Sequence, residues 1–230
     1  MTQAANTYAQ ALYDLAKEYG SDIAVASYRK VYPNDKNSEV KKIIADDRYA
    51  LSGKEAMENL LYQKNMMSVP WGMLYRKDLF ECVSFPEGTK AEDMGTIYRL
   101  YATAKSVAVG TEVVYYYYQR EMNTVFSTSQ ERNRDYFKHC REMLAYVKKN
   151  EKDCMPAAMS RHFSACFQIL SETPVTAENQ TFIKVLYADI KKCQNVVLKD
   201  KKARIRNRMA ALASLVSVRF MHVILRLLYC

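Results

Sequence analysis

The chain has 230 residues, 49% of them hydrophobic and 26% charged, a globular balance that excludes wholesale disorder and allows one large domain or two small ones. Its net charge of +9 is uneven, because residues 199–230 carry eight Lys/Arg against Asp200 alone. Six glycines are few for a phosphate-loop protein, and neither G-x-G-x-x-G nor G-x-x-x-x-G-K-[ST] occurs.

Cysteines 82, 140, 154, 166, 193 and 230 form no C-x-x-C and do not pair with the histidines at metal-ligand spacing. That pattern favours reduced thiols in a cytosolic compartment over a disulfide frame or a zinc site. The N-terminal MTQAANTYAQ lacks a basic region followed by an apolar one, so no signal peptide is expected.

Taken in order, residues 7–19 place Tyr8, Leu12, Leu15 and Tyr19 at helical spacing, and Gly20 follows as a stop. SDIAVASYRKVY reads as a strand and PNDKNSE as a loop. Asp46-Asp47 sits in a polar stretch just before residue 52 and reads as a solvated turn rather than a metal site. Ser52-Gly53-Lys54-Glu55 fits a capping box opening a helix through Leu61. A short helical turn is expected up to Phe80. FPEG then leads into Glu92-Asp93 and a helical stripe of Met94, Ile97, Tyr98, Tyr101 and Ala104. SVAVGTEVVYYYY resumes strand character, and alternation predicts at least two core rings among Tyr115–Tyr118. Residues 131–149, 155–171 and 176–193 each read as a helix. The fold class is therefore α/β over residues 1–127, followed by an all-helical region over 128–230.

In the tail, at about 100° per residue, Ile205, Met209, Leu212, Val216, Phe220, Val223 and Leu227 share one helical face. Arg204, Arg208, Arg219, His222 and Arg226 fall in a sector about 60° wide beside it. Arg219 and Arg226 interrupt any spanning helix. Two readings stay open: an interfacial helix on an anionic membrane surface, or packing against the helical region. Nucleic acid is not expected as a partner, since Phe220 and Tyr229 are the only aromatic residues among these charges.

Candidate chemistry centres on Glu92-Asp93. Acids in a first helical turn are favoured by the macrodipole by about 0.3–1 kcal/mol, so capping alone accounts for them. A carboxylate at the end of a Pro-Gly loop is also placed to act as a general base toward a hydroxyl. Trp71, the only tryptophan, suits either a core or a sugar-stacking platform. His139 and His162 fall in expected helices and read as structural or surface residues.

The blocks SDIAVASYRKVY, VPWGMLYRKDLF, FPEGTKAEDMGTIYRLY and VVYYYYQREMNTVFS, spread in that order over roughly residues 8–127, resemble the C-terminal half of a family 2 glycosyltransferase. Such enzymes build bacterial surface polysaccharides, and the basic helical tail is similar to theirs. The resemblance implies a partial GT-A, Rossmann-like sheet with flanking helices. It also implies inverting transfer of a hexose from a nucleotide-diphosphate sugar to a glycan acceptor hydroxyl, at the cytoplasmic side of the plasma membrane.

The Glu-Asp motif of the family falls on Glu92 and Asp93, with Asp93 as the base. Its acceptor-side tryptophan falls on Trp71, and its closing loop on Gln119, Arg120 and Thr124. Arg204, Arg208, Arg219 and Arg226 would meet the membrane surface. The family uses a divalent cation, Mg or Mn, held with the diphosphate by a D-x-D strand. Neither that strand nor the uridine-binding loop has a counterpart here, so no cofactor is expected to be held by this chain. A missing N-terminal half or a partner chain would complete the enzyme. Met73 stands where the family usually has Lys, and Ala91 where an aromatic often precedes Glu-Asp.

Overall fold

The computed structural model describes residues 3–31, 47–118 and 130–217. It is α/β, with one four-stranded mixed sheet and seven α-helices among the described residues. The chain divides into two compact units, one formed by Met1–Pro86 with Thr96–Ser127, the other by Glu87–Gly95 with Thr128–Cys230. Residues 87–95, which the sequence places with the first region, therefore group with the helical one.

In the α/β unit, α1 (Gln3–Tyr19) ends at Gly20, whose φ of 58° stops the helix. It is followed by β1 (Ile23–Val31), β2 (Tyr49–Ser52), α2 (Gly53–Tyr62), β3 (Met73–Tyr75), a 3-10 turn (Lys77–Glu81), α3 (Glu92–Thr103) and β4 (Ser106–Tyr118). The sheet order is β2-β4-β1-β3. β1 runs parallel to β4, with Ile23 opposite Val107, and the outer strands β2 and β3 are antiparallel to their neighbours.

Alternation decides the faces. Ala24, Ala26, Ala108 and Val114 pack under Leu12 and Leu15 of α1. Ile23, Val25, Val107 and Val109 point the other way and are fully buried. α2 and residues 96–103 of α3 supply further large buried side chains, among them Met57, Leu61, Ile97, Tyr98 and Tyr101. The capping box forms as expected: the Ser52 hydroxyl accepts from the Glu55 amide at 3.2 Å, and the Glu55 carboxylate accepts from the Ser52 amide at 2.9 Å. A Cβ added to Gly53 would stand 2.0 Å from the Ala104 carbonyl oxygen, so glycine there permits close approach of the helix.

Buried Asp22 ties three segments together. Its carboxylate pairs with Arg76 and accepts from the Lys105 amide at 2.6 Å, while its own amide donates to the Ser106 carbonyl at 3.0 Å.

β3 pairs only with residues 23–25 of β1, and β2 only with residues 106–109 of β4. Beyond them, residues 27–31 and 113–118 continue as a two-stranded parallel ribbon. Here one expectation is corrected. The tyrosines do alternate faces, but none of Tyr115–Tyr118 is a buried core residue. Tyr115 and Tyr117 are half-buried and Tyr116 and Tyr118 exposed, because no further strand covers the ribbon among the described residues.

The helical unit contains α4 (Gln130–Asn150), α5 (Met155–Glu172), α6 (Gln180–Lys199) and α7 (Ile205–Val216). Pro156 sits in the first turn of α5, where its missing N–H costs nothing. Met143, Val147, Phe163, Ile169, Leu170, Leu186 and Ile190 form its apolar interior. Within that interior, the His162 ring bonds Asp189 at 3.1 Å through Nε2. Asp189 also accepts from Lys192 at 3.0 Å.

Candidate active site

The loop carrying Glu92-Asp93 is bent by two residues in the left-handed region, Gly88 with φ 67° and Ala91 with φ 57°. Glycine adopts that geometry freely; for alanine it is strained. The strain is held by bonds to α4. The Lys90 amide donates to the Asp135 carboxylate at 2.8 Å, and the Lys90 ammonium pairs with Glu131 at 2.7 Å. The Thr89 hydroxyl lies 3.1 Å from Nε2 of buried His139, whose Nδ1 lies 2.9 Å from the Glu142 carboxylate. With Nδ1–H donating to Glu142, Nε2 is left to accept from Thr89.

At the start of α3, Glu92 is exposed and Asp93 half-buried. Asp93 Oδ1 accepts from the Met94 amide at 2.7 Å, so the capping role is real. Burial raises the Asp93 carboxyl above the usual carboxylate range against the Met94 hydrogen bond, with a further upward push from Glu92. The positive charges of Arg161 and Arg132 act in the opposite direction.

Arg161, from α5, leans over the Tyr136 ring at 6.0 Å and reaches the Met94 sulfur at 3.5 Å. Burial works against its charge, but a hydrogen bond to the Tyr136 hydroxyl and the charge of Asp93 act the other way, and the guanidinium stays cationic. Tyr136 and Cys140 are both pushed up to about 12 by burial. At neutral pH Tyr136 and Cys140 are therefore uncharged, and the charge of this cluster rests on its carboxylates and arginines.

A carboxylate of raised basicity beside a fixed cation can take a proton from a docked hydroxyl while the cation limits the cost of charge separation. Arg161, Asp135 and His139 were not legible as parts of this site. Their contacts with residues 89–94 span 45 to 67 positions in sequence, and no local pattern announces them.

Trp71 belongs to the α/β unit. Its ring stacks on Tyr115 at 4.5 Å and on Tyr117 at 5.4 Å, and meets Tyr28 edge-on at 5.0 Å. It is half-buried, forming an aromatic wall on the ribbon rather than a core residue. Beside it, the Met73 sulfur accepts from the Tyr75 hydroxyl at 2.9 Å and the Tyr101 hydroxyl at 3.6 Å. Gln119, Arg120, Thr124, Arg219 and Arg226 lie outside the described residues. Arg204 occupies the N-cap position of α7 without a side-chain capping bond, and Arg208 donates from Nε to the Leu198 carbonyl at 3.3 Å.

Among the described residues, no three acids, histidines or cysteines come together to hold a metal ion. Asp93 itself, with one oxygen on a backbone amide and arginines as its charged neighbours, suits proton transfer better than cation binding. No helix among the described residues is long and apolar enough to cross a membrane.

No family model matches the chain, and no curated protein matches it.

Proposed function

We propose that this chain forms the acceptor side of an inverting, family 2-like glycosyltransferase, with its α/β unit as part of a GT-A sheet and Asp93 as the general base. The observation that carries the reading is the Asp93 environment: a half-buried carboxylate of raised basicity at a helix start, beside Arg161 and Arg132, at the end of a loop pinned to α4. Asp93 takes the proton of an acceptor hydroxyl as that oxygen attacks the anomeric carbon of a nucleotide-diphosphate sugar and the bond from that carbon to the diphosphate oxygen breaks, releasing the nucleoside diphosphate. The sequence contains no D-x-D, so the diphosphate and its Mg or Mn are assigned to groups outside residues 1–230.

The test is transfer from a UDP-hexose in the completed enzyme. Asp93→Asn should lower the rate by about 10²–10⁴-fold while leaving the circular dichroism spectrum unchanged. Transfer by that variant at the wild-type rate would remove the assignment.

A second reading, a non-catalytic docking module, is favoured by one observation: the apolar side of α7 is exposed. Transfer from a UDP-hexose by the completed enzyme that is lost in Asp93→Asn would exclude it.

A further inference from the structure

Helix α7 is turned opposite to the way its apolar stripe predicts. At about 100° per residue, Ile205, Met209, Leu212 and Val216 lie along one line, yet they are 73%, 66%, 58% and 85% exposed. The side that packs inward carries Asn207, Ala211 and Ser214.

Hydrogen bonds fix that rotation. Asn207 Nδ2 donates to the Ser160 hydroxyl at 3.2 Å, the Ser214 hydroxyl lies 3.1 Å from Gln194 Oε1, and Arg208 Nε holds the Leu198 carbonyl. Turning the helix to bury its apolar stripe would take Asn207 away from Ser160 and leave that buried hydroxyl under apolar side chains, at about 1–3 kcal/mol for each polar group left buried and unpaired. The protein's own bonding thus holds the stripe outward, and a contiguous exposed stripe marks an interaction surface.

Its surroundings identify the occupant. Exposed Arg206 and partly buried Arg208 flank the stripe on its two sides. Lys201 and Lys202 precede the helix, and no Asp or Glu occurs anywhere in residues 201–230. Leu215 and Val216 share a groove with Lys184 and Lys191 of α6, and no acid among the described residues lines it. Apolar side chains in the middle with cations at both margins match the cross-section of an anionic bilayer interface. A second copy of this chain would instead bring the same basic rim against itself.

We infer that α7 lies flat on an anionic membrane surface, inserting Ile205, Met209, Leu212 and Val216 between headgroups that its arginines and the neighbouring lysines contact. This goes beyond the transferase reading and does not rest on it.

The experiment is flotation of the full chain with phosphatidylcholine vesicles containing about one-third phosphatidylglycerol, and with phosphatidylcholine alone. Binding to the anionic vesicles should exceed binding to neutral ones by about ten-fold or more. Met209→Asp with Leu212→Asp should abolish it, with helicity and melting unchanged because both side chains are exposed. Lys201→Gln with Arg206→Gln should lower anionic binding by about ten-fold or more while leaving neutral binding as it was. The inference is overturned if the wild type floats with neither vesicle, or if the double aspartate variant floats equally well. It is also overturned if sedimentation shows a dimer, dissolved by that variant, in place of vesicle binding.

Discussion

Gly95 lies directly against the His139 ring: a methyl group added at Gly95 would stand 2.9 Å from Nδ1 and 3.3 Å from Cε1. The ring is buried and bonded on both nitrogens, so it has little freedom to retreat. Gly95→Ala should destabilise the protein by about 1–3 kcal/mol, read from urea unfolding. Combining it with His139→Ala should recover part of that loss, because the two sites share one contact. Purely additive losses would show that the contact is not what limits residue 95.

The Asp93 carboxyl has a sign that can be worked out. Its folded value is raised above the ordinary one, so the folded state holds the proton more tightly than the unfolded chain does. Between the two values, stability from this group therefore falls as pH rises. Asp93→Asn should be neutral to slightly stabilising at pH 7 and should flatten that part of the stability profile. If the residue serves as a base, transfer should fall as pH drops through the same raised value. Clear destabilisation by Asp93→Asn at pH 7 would mean that its cap outweighs its burial.

Asp189 behaves oppositely. Burial pushes its carboxyl up, but hydrogen bonds from His162 and Lys192 and the charge of Arg141 prevail and hold it at about 2. Its contribution is thus fully present above the ordinary carboxylate value and is lost as pH falls from there toward about 2. Asp189→Asn should cost about 1.5–3 kcal/mol near neutrality and remove most of that acid-side loss. An acid limb of the unfolding profile unchanged in the variant would contradict this.

Trp71 supplies both a structural and an optical test. Removing its ring from Tyr115 and Tyr117 should cost about 2–3 kcal/mol, below the range for fully buried tryptophans because it is half-exposed. As the only tryptophan, it makes wild-type fluorescence a direct report on the aromatic ribbon. Unfolding followed by fluorescence should coincide with loss of far-ultraviolet dichroism of the α/β unit. An early fluorescence transition would show the ribbon opening by itself.

Local signals made α1, the Ser52–Glu55 cap, α3 and the helical region readable, since periodicity and capping chemistry act within a few residues. β2 and β3 were not readable. At four and three residues they are too short to show alternation and exist only because β4 and β1 offer them backbone partners. The stripe of α7 was visible, but its direction was not, because that depends on Ser160 and Gln194 from other helices. Asp93 was legible as a helix-start acid, whereas its raised basicity arises from burial that no local pattern records.

The pairing of Ile23 with Val107 sets a timetable for synthesis. β1 precedes β4, its parallel neighbour among the described residues, and at ordinary elongation rates the ribosome takes about 4–17 s to deliver that partner. During that interval the apolar start of β1 and the underside of α1 have no completed sheet to close on. Folding of this unit must therefore be late and all at once rather than stepwise from the N-terminus, and the nascent chain is most in need of a holding chaperone before residue 118 clears the exit tunnel.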